Sequence, residues 1–459
     1  MTARRYLQRC ASLLGLLLLV WACGGSVHSG RSEGEAGEAG QTEDLAGTAG
    51  SAGTATLSGA AGAANNGGTA GANAGEGGNS NVSGQAGTAG TESSAGAAGS
   101  TASNVTIKQL ATFGPDTCAL LSNGTIKCWG YNECGQLGVS ANSKPWSVEP
   151  ITVPDISDAI WVSIGYRFAC AVLQDHTVKC WGCNDFGQLG DGTMKDSAVP
   201  VQVQGLSGAV QVVAQSSTHG CALLDDGTVA CWPAGIVPLN DLEPMAPDTS
   251  VALVPGISSA IQFAGDGYAS MCVLLKDHTV ACRGSNDLGQ LGNGTTDPSD
   301  VPVVVPGLVD VAQVSGNSAF YCAVIADGTV ECWGGFYRYG CQDELGCQQS
   351  TLTPTVVTGL PPAVQVAAAS GACAVLADAT VRCWGDNPYG QLGNGTTTYS
   401  ETPVVVEGLS GVQQVVRSNA SCALLEDGTA RCWGRNAYGT LGDGTSNDSL
   451  VPVMVTAAP

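Results

Sequence analysis

The sequence predicts an all-β fold, a seven-bladed β-propeller of four-stranded blades preceded by a disordered linker, and three observations predict it. A pair of cysteines ten residues apart recurs seven times between residues 118 and 432. Each pair brackets a short turn, mostly Asn-Gly or Asp-Gly, of the kind that joins paired strands. Each repeat, about 51 residues long, carries two further apolar extended segments, one before the pair and one after it.

The pairs are Cys118 and Cys128, Cys170 and Cys180, Cys221 and Cys231, Cys272 and Cys282, Cys322 and Cys332, Cys373 and Cys383, and Cys422 and Cys432. Between them runs a fixed grammar, as in Cys118-Ala-Leu-Leu-Ser-Asn-Gly-Thr-Ile-Lys-Cys128. The turn glycine supplies the positive φ of a tight turn, and the flanking apolar and β-branched residues suit strands. In two copies His176 and His278 replace that glycine, and in a third Ala379 does; both histidines are read as turn residues in the left-handed region. A three-residue loop with a bulge sets the two cysteines face to face across the hairpin, at a separation a disulfide closes. The competing reading, metal ligation, needs about four convergent ligands, and a lone pair with this spacing matches no zinc pattern.

The segments outside the hairpin, such as Ala209-Val210-Gln211-Val212-Val213 before it and Val301-Pro302-Val303-Val304-Val305 after it, bring each repeat to four strands. Seven such units with no helical periodicity make a ring of radial sheets whose two ends meet.

Composition narrows the function. Against 39 Asp plus Glu stand only 17 Lys plus Arg, and a net charge of −22 repels phosphate backbones, so nucleic acid is not an expected partner. Four histidines leave little material for a metal centre, and neither a metal nor a cofactor is called for. Residues 1–22, with Arg4, Arg5 and Arg9 ahead of an apolar run, read as a signal peptide. They end at a lipobox-like Val20-Trp21-Ala22-Cys23-Gly24, where Cys23 would be lipidated; Trp21 departs from the usual small residue, and cleavage to a secreted protein is the alternative. Residues 23–103 are a Gly/Ala/Ser/Thr tract that cannot bury a core, a stalk spanning about 50 Å as a flexible coil. The propeller takes residues 104–459. The expected setting is the cell envelope, oxidising enough to keep disulfides, with the membrane touched only through Cys23.

After the second cysteine comes Trp-Gly-x-Asn-x-x-Gly-Gln-Leu-Gly, at residues 129–138, 181–190 and 384–393 and, slightly altered, at 433–442. With the Ala-Leu strand and the Asp-Gly turn before it, the unit resembles the repeat of the RCC1 (regulator of chromosome condensation) family over roughly 350 residues. The resemblance implies the propeller. The founding member also acts as a guanine-nucleotide exchange factor on a small GTPase, but its contact residues cannot be placed here, since the loops differ. Two repeats depart from the pattern: the third reads Cys231-Trp232-Pro233-Ala234 with no Gly-Gln-Leu-Gly, and the fourth has Arg283 in place of the tryptophan.

Function is sought where the repeats break. The fifth repeat replaces its loop with residues 334–347, in which Phe336, Tyr337, Arg338 and Tyr339 make a candidate binding cluster and Cys341 with Cys347 would clip the loop. A packed insertion with its aromatics turned inward is the alternative. Residues 233–250 form a second irregular rim feature, and Cys134 with Cys183 would bond neighbouring repeats. The chain has no nucleophile elbow, phosphate loop or zincin motif, so catalytic residues are not assigned. The expectation is a monomeric protein-binding or scaffold module acting through rim loops, with a carbohydrate as a variant partner. Exchange activity and a hydrolase or lyase built on carboxylates in the central channel are the alternatives.

Overall fold

The computed structural model describes residues 105–214, 218–233, 249–265, 269–317, 319–337 and 348–456. The signal segment, Cys23 and the linker lie outside the described residues. The first blade is β1 (Ile107–Phe113), β2 (Asp116–Leu121), β3 (Ile126–Tyr131) and β4 (Trp146–Thr152), antiparallel and hydrogen-bonded in chain order. Six further four-stranded sheets repeat this order, so the fold is a seven-bladed propeller and each blade is a run of consecutive strands. Burial grades outward: β2 is buried along its whole length, and β4 is largely open.

The hairpins follow from their turn residues. In the first, the Leu121 N–H donates to Thr125 O (2.8 Å) and the Gly124 N–H to Leu121 O (2.9 Å), closing a three-residue loop with Gly124 at φ 79°. His176, His278 and Ala379 hold the same left-handed position at φ 64°, 63° and 61°. This register sets Cys118 directly opposite Cys128, and in all seven blades the two cysteines are disulfide-bonded with Cα atoms 4.0–4.1 Å apart.

The core is divided among the joints between blades, with one apolar cluster at each. In five blades the tryptophan after the second cysteine crosses the joint to the loop of the preceding blade. Trp129, Trp181, Trp232, Trp333 and Trp433 donate their indole N–H to Thr440 O, Gln136 O, Gln188 O, Gln290 O and Gln391 O at 2.8–3.1 Å. The last glycine of Gly-Gln-Leu-Gly makes room for it. A Cβ on Gly190, Gly292, Gly393 or Gly442 would lie 2.7–2.8 Å from the indole of the next blade, and each glycine has positive φ. The motif asparagine folds the loop from within: Asn132 Oδ1 accepts the Leu137 N–H, as Asn184, Asn286, Asn387 and Asn436 do for Leu189, Leu291, Leu392 and Leu441.

Backbone bonds fasten the blades as well. The carbonyl of each left-handed turn residue accepts the first strand N–H of the next blade: Gly124 from Ala159, His176 from Ala209, Gly227 from Ala260, His278 from Val311, Gly328 from Ala363 and Ala379 from Val412. The seventh bond of this series, from the Ile107 N–H to Gly428 O at 3.1 Å, closes the ring, and no strand is shared between the first and last blades.

Candidate functional site

Because the strands run in order and antiparallel, the first-to-second strand turns and third-to-fourth strand loops lie on one face, and the cysteine hairpins on the other. The hairpin face is a ring of structural acids. Asp175, Asp226, Asp277, Asp378 and Asp427 each accept hydrogen bonds from the N–H and Oγ1 of the threonine two residues on, and Asp327 accepts from the Thr329 N–H. Those bonds hold all six carboxyls below their ordinary range. Each spends its Oδ1 on its own turn. His176 and His278 turn their Nδ1 to Ala209 O and Val311 O at 2.9 and 3.0 Å, so one nitrogen of each ring serves a joint.

The channel along the ring axis is walled by amides. Gln109, Gln211, Gln313, Gln365 and Gln414 each clasp one residue of the next blade's first strand, donating to its carbonyl and accepting its N–H. Gln262 accepts from the Val314 N–H, and in the second blade Trp161 takes the position, donating to Val212 O. The cavity holds about 180 Å³, and Arg417 is the single charged group among the described residues of its wall. Among the described lining residues there is no carboxylate pair. Arg417 is itself committed: its guanidinium donates to Gln391 O, Ser370 O and Asp386 O, and burial lowers its pKa to about 10 against the opposing charge of Asp386.

The loop face is different. Its most variable side chains sit at two free positions of the motif, the residue after Trp-Gly and the residue before Gly-Gln, and these positions meet across the joints. At the joint of blades 7 and 1, Tyr131 lies against Tyr438 with ring centroids 4.7 Å apart. At the joint of blades 6 and 7, the Arg435 guanidinium sits 4.8 Å over the Tyr389 ring. At the joint of blades 1 and 2, the same positions hold Cys134 and Cys183, disulfide-bonded with Cα atoms 4.9 Å apart. An Asp196 oxygen lies within 4.8 Å of both sulfurs, but a disulfide offers no thiolate to a metal.

Around these pairs the face is aromatic and polar. Tyr131 Oη donates to Glu133 Oε2 (3.0 Å), and burial together with Glu133 pushes the phenol up to about 12. Arg167 pairs with Glu133 at 3.0 Å and lies 4.8 Å from the Tyr166 ring centroid. Phe186 is 56% exposed, Trp146 51% and Tyr438 38%. Beneath them Asp116 is fully buried; burial pushes its carboxyl well above the ordinary range, although Gln136, the Tyr131 N–H and Arg167 pull the other way.

The fifth-repeat cluster divides. Phe336 is half-buried, its ring edge-on to Phe320 at 5.2 Å and packed on the joint of blades 5 and 6. Tyr337 is placed by backbone alone, paired with Gln348. Arg338, Tyr339, Cys341 and Cys347, with residues 234–248 of the other irregular stretch, lie outside the described residues. Sequence reasoning looked where repeats break, and so missed Tyr131, Phe186, Tyr389, Arg435 and Tyr438, which stand in unbroken repeats. The signal was there, at the two motif positions the repeat leaves free.

The fold defines the class: a seven-bladed propeller of RCC1-like repeats. The family description "Regulator of chromosome condensation (RCC1) repeat" matches residues 175–223, 277–324 and 378–425, and a second description of the same repeat matches 117–136 and 418–440. Among particular proteins, the chain is similar to human E3 ubiquitin-protein ligase HERC2, 28% identical over 298 residues that are 61% of this chain and 6% of HERC2. It is also 28% identical to the Arabidopsis thaliana ultraviolet-B receptor UVR8 over 300 residues, 62% of this chain and 66% of that one. The chain therefore spans less than two thirds of either relative. Yeast RCC1 (Prp20), solved bound to Kap60, superposes with TM-score 0.61 at 19% identity over 73% of this chain and 84% of its own, a likeness of fold.

Proposed function

We propose that this protein is a rigid, disulfide-stapled binding module that engages another protein through its loop face, held at the cell envelope by a lipid on Cys23 and a flexible stalk. The observation that carries the reading is the contrast of faces. The hairpin-turn acids and histidines bond within the fold through Oδ1 and Nδ1, whereas exposed Phe186 and Tyr438 and half-buried Tyr131, Tyr389 and Arg435 gather on the loop face across joints 6–7, 7–1 and 1–2, and Tyr and Arg are enriched in binding hot spots. The disulfides accord with an oxidising compartment. RCC1 itself, as the relative of similar fold, was solved with a protein partner.

The test is capture of a partner from envelope and extracellular fractions, followed by affinity measurement with Phe186→Ala, Tyr389→Ala and Tyr438→Ala combined. Loss of a hot-spot anchor costs about 2 kcal/mol or more, so Kd should rise at least ~30-fold. A partner bound equally well by the triple variant defeats the reading. Anchoring is tested separately: Cys23→Ser should move the protein from the membrane to the soluble fraction, and unchanged partition removes that part of the proposal.

A further inference from the structure

The two joints of blade 1 carry pairs of oxidisable side chains at the same two motif positions. On the side of blade 2 these positions hold Cys134 and Cys183, and the loss of two electrons and two protons has joined them covalently. On the side of blade 7 they hold Tyr438 and Tyr131, whose ring centroids lie 4.7 Å apart with the ring planes tilted by 48°. That separation is at the short end of aromatic contacts, so one ring edge meets the other. Phenols, like thiols, join in pairs when they are oxidised within contact of each other.

The surroundings suit that chemistry. The pair faces solvent, Tyr438 being 38% exposed and Tyr131 half-buried. The Tyr131 hydroxyl donates to Glu133 Oε2 at 3.0 Å, and the Arg167 guanidinium holds the same oxygen at 3.0 Å. Burial and Glu133 push the Tyr131 phenol up to about 12, so at neutral pH its proton has to leave together with its electron, and a carboxylate is in hydrogen-bond contact to take it. Both rings are held in place from below. Asp116 Oδ1 accepts the Tyr131 N–H at 2.7 Å, and the blade 7 loop that carries Tyr438 is pinned to blade 1 by the Trp129 indole on Thr440 O at 2.8 Å.

We propose that Tyr131 and Tyr438 are an oxidative cross-linking site, at which a haem peroxidase fed with hydrogen peroxide joins the two rings, ortho carbon to ortho carbon. Each phenol gives up one electron and one proton, the Tyr131 proton passing to Glu133. The two radicals form one carbon–carbon bond, and the hydrogen on each joined carbon moves to its phenolic oxygen. Hydrogen peroxide takes up the two electrons and two protons and leaves as two waters. The link ties together residues 307 positions apart, at the joint where the first and last blades share no strand, so it closes the ring covalently. The inference goes beyond partner binding and rests neither on that reading nor on the anchor.

The experiment treats the purified full chain, kept dilute, with hydrogen peroxide and a catalytic amount of a haem peroxidase, and reads dityrosine fluorescence, intact mass and proteolytic peptides. The expected product is a single chain lighter by two hydrogens, in which one joined peptide holds Tyr131 and Tyr438. Tyr131→Phe and Tyr438→Phe, which keep the rings, should each abolish that peptide. Glu133→Gln, which removes the proton acceptor, should slow the joining roughly tenfold or more. Closing so long a loop should also lower the unfolding equilibrium constant about 30-fold or more, read as a higher urea midpoint than that of the untreated chain. The site is overturned by the absence of the joined peptide, by coupling mainly between chains, or by equal yields of other tyrosine pairs or of a bond from Tyr131 to Trp146, its neighbour across the strands. An unchanged rate in Glu133→Gln overturns the route of the proton, and an unchanged midpoint in the joined chain overturns the covalent closure.

Discussion

The two joints flanking blade 4 are built in opposite ways. Toward blade 5, blade 4 offers its Gly289-Gln290-Leu291-Gly292 loop, and Trp333 closes on it with a 3.1 Å hydrogen bond, fully buried among Leu291, Val305 and Tyr321. Toward blade 3, whose repeat lacks the Gly-Gln-Leu-Gly sequence, Arg283 holds the tryptophan's strand position opposite Met271 and is 5% exposed. The difference teaches that the unit of constraint in this ring is the joint: where the motif stands unbroken, what one repeat writes is satisfied by a residue of the next.

Breaking the well-made joint should give the largest effect. Trp333→Ala removes a fully buried indole and is expected to lower stability by about 3–5 kcal/mol, read as a drop in the urea midpoint with disulfides intact. A loss under ~1 kcal/mol would mean that the joint collapses around the gap and that the comparison has no energetic content. Gly292→Ala sharpens the same point with one carbon. The residue sits at φ 66°, and its Cβ would lie 2.8 Å from the Trp333 ring, so a loss of about 1–3 kcal/mol is expected. Combining the two changes tests the pairing directly, because the steric part of the Gly292→Ala penalty should disappear once Trp333 is alanine. The smallest effect belongs to the other joint. Arg283→Met keeps most of the volume and removes the buried charge, so stability should change by nothing or rise by about 1 kcal/mol. A clear fall would show that Arg283 is already well paired in the free protein.

Much of this architecture was legible in the sequence. The Cys-to-Cys grammar gave the hairpins, their three-residue turns and the opposed cysteines, and His176 and His278 could be assigned to turns because their positions align with glycines. Trp161 and the glutamines of the channel belt were not legible. Each contacts the first strand of the next blade, 50 to 53 residues on except for Gln414, whose partner Leu110 is 304 residues back, and nothing local to Gln109 or Gln211 announces a partner at that distance. The candidate site was read least well for a similar reason. Phe336 looked like a binding aromatic by composition, but composition does not tell which way a ring points, and it points at Phe320. Tyr131 and Tyr438 looked like unremarkable variable positions, 307 residues apart along the chain, and only the closure of the ring makes them neighbours.

That closure has a mechanical consequence. Since the blades are runs of consecutive strands and the Ile107 to Gly428 bond is of the same kind as the other six, the ring has no privileged seam. A load applied to the ring is shared among seven fastenings of like design, and the one that yields first is set by side chains rather than by where the polypeptide is interrupted. Under load the ring would then open between blades 3 and 4, across from the joints that carry its aromatic pairs, and the seven covalent staples would keep every hairpin ready to close again.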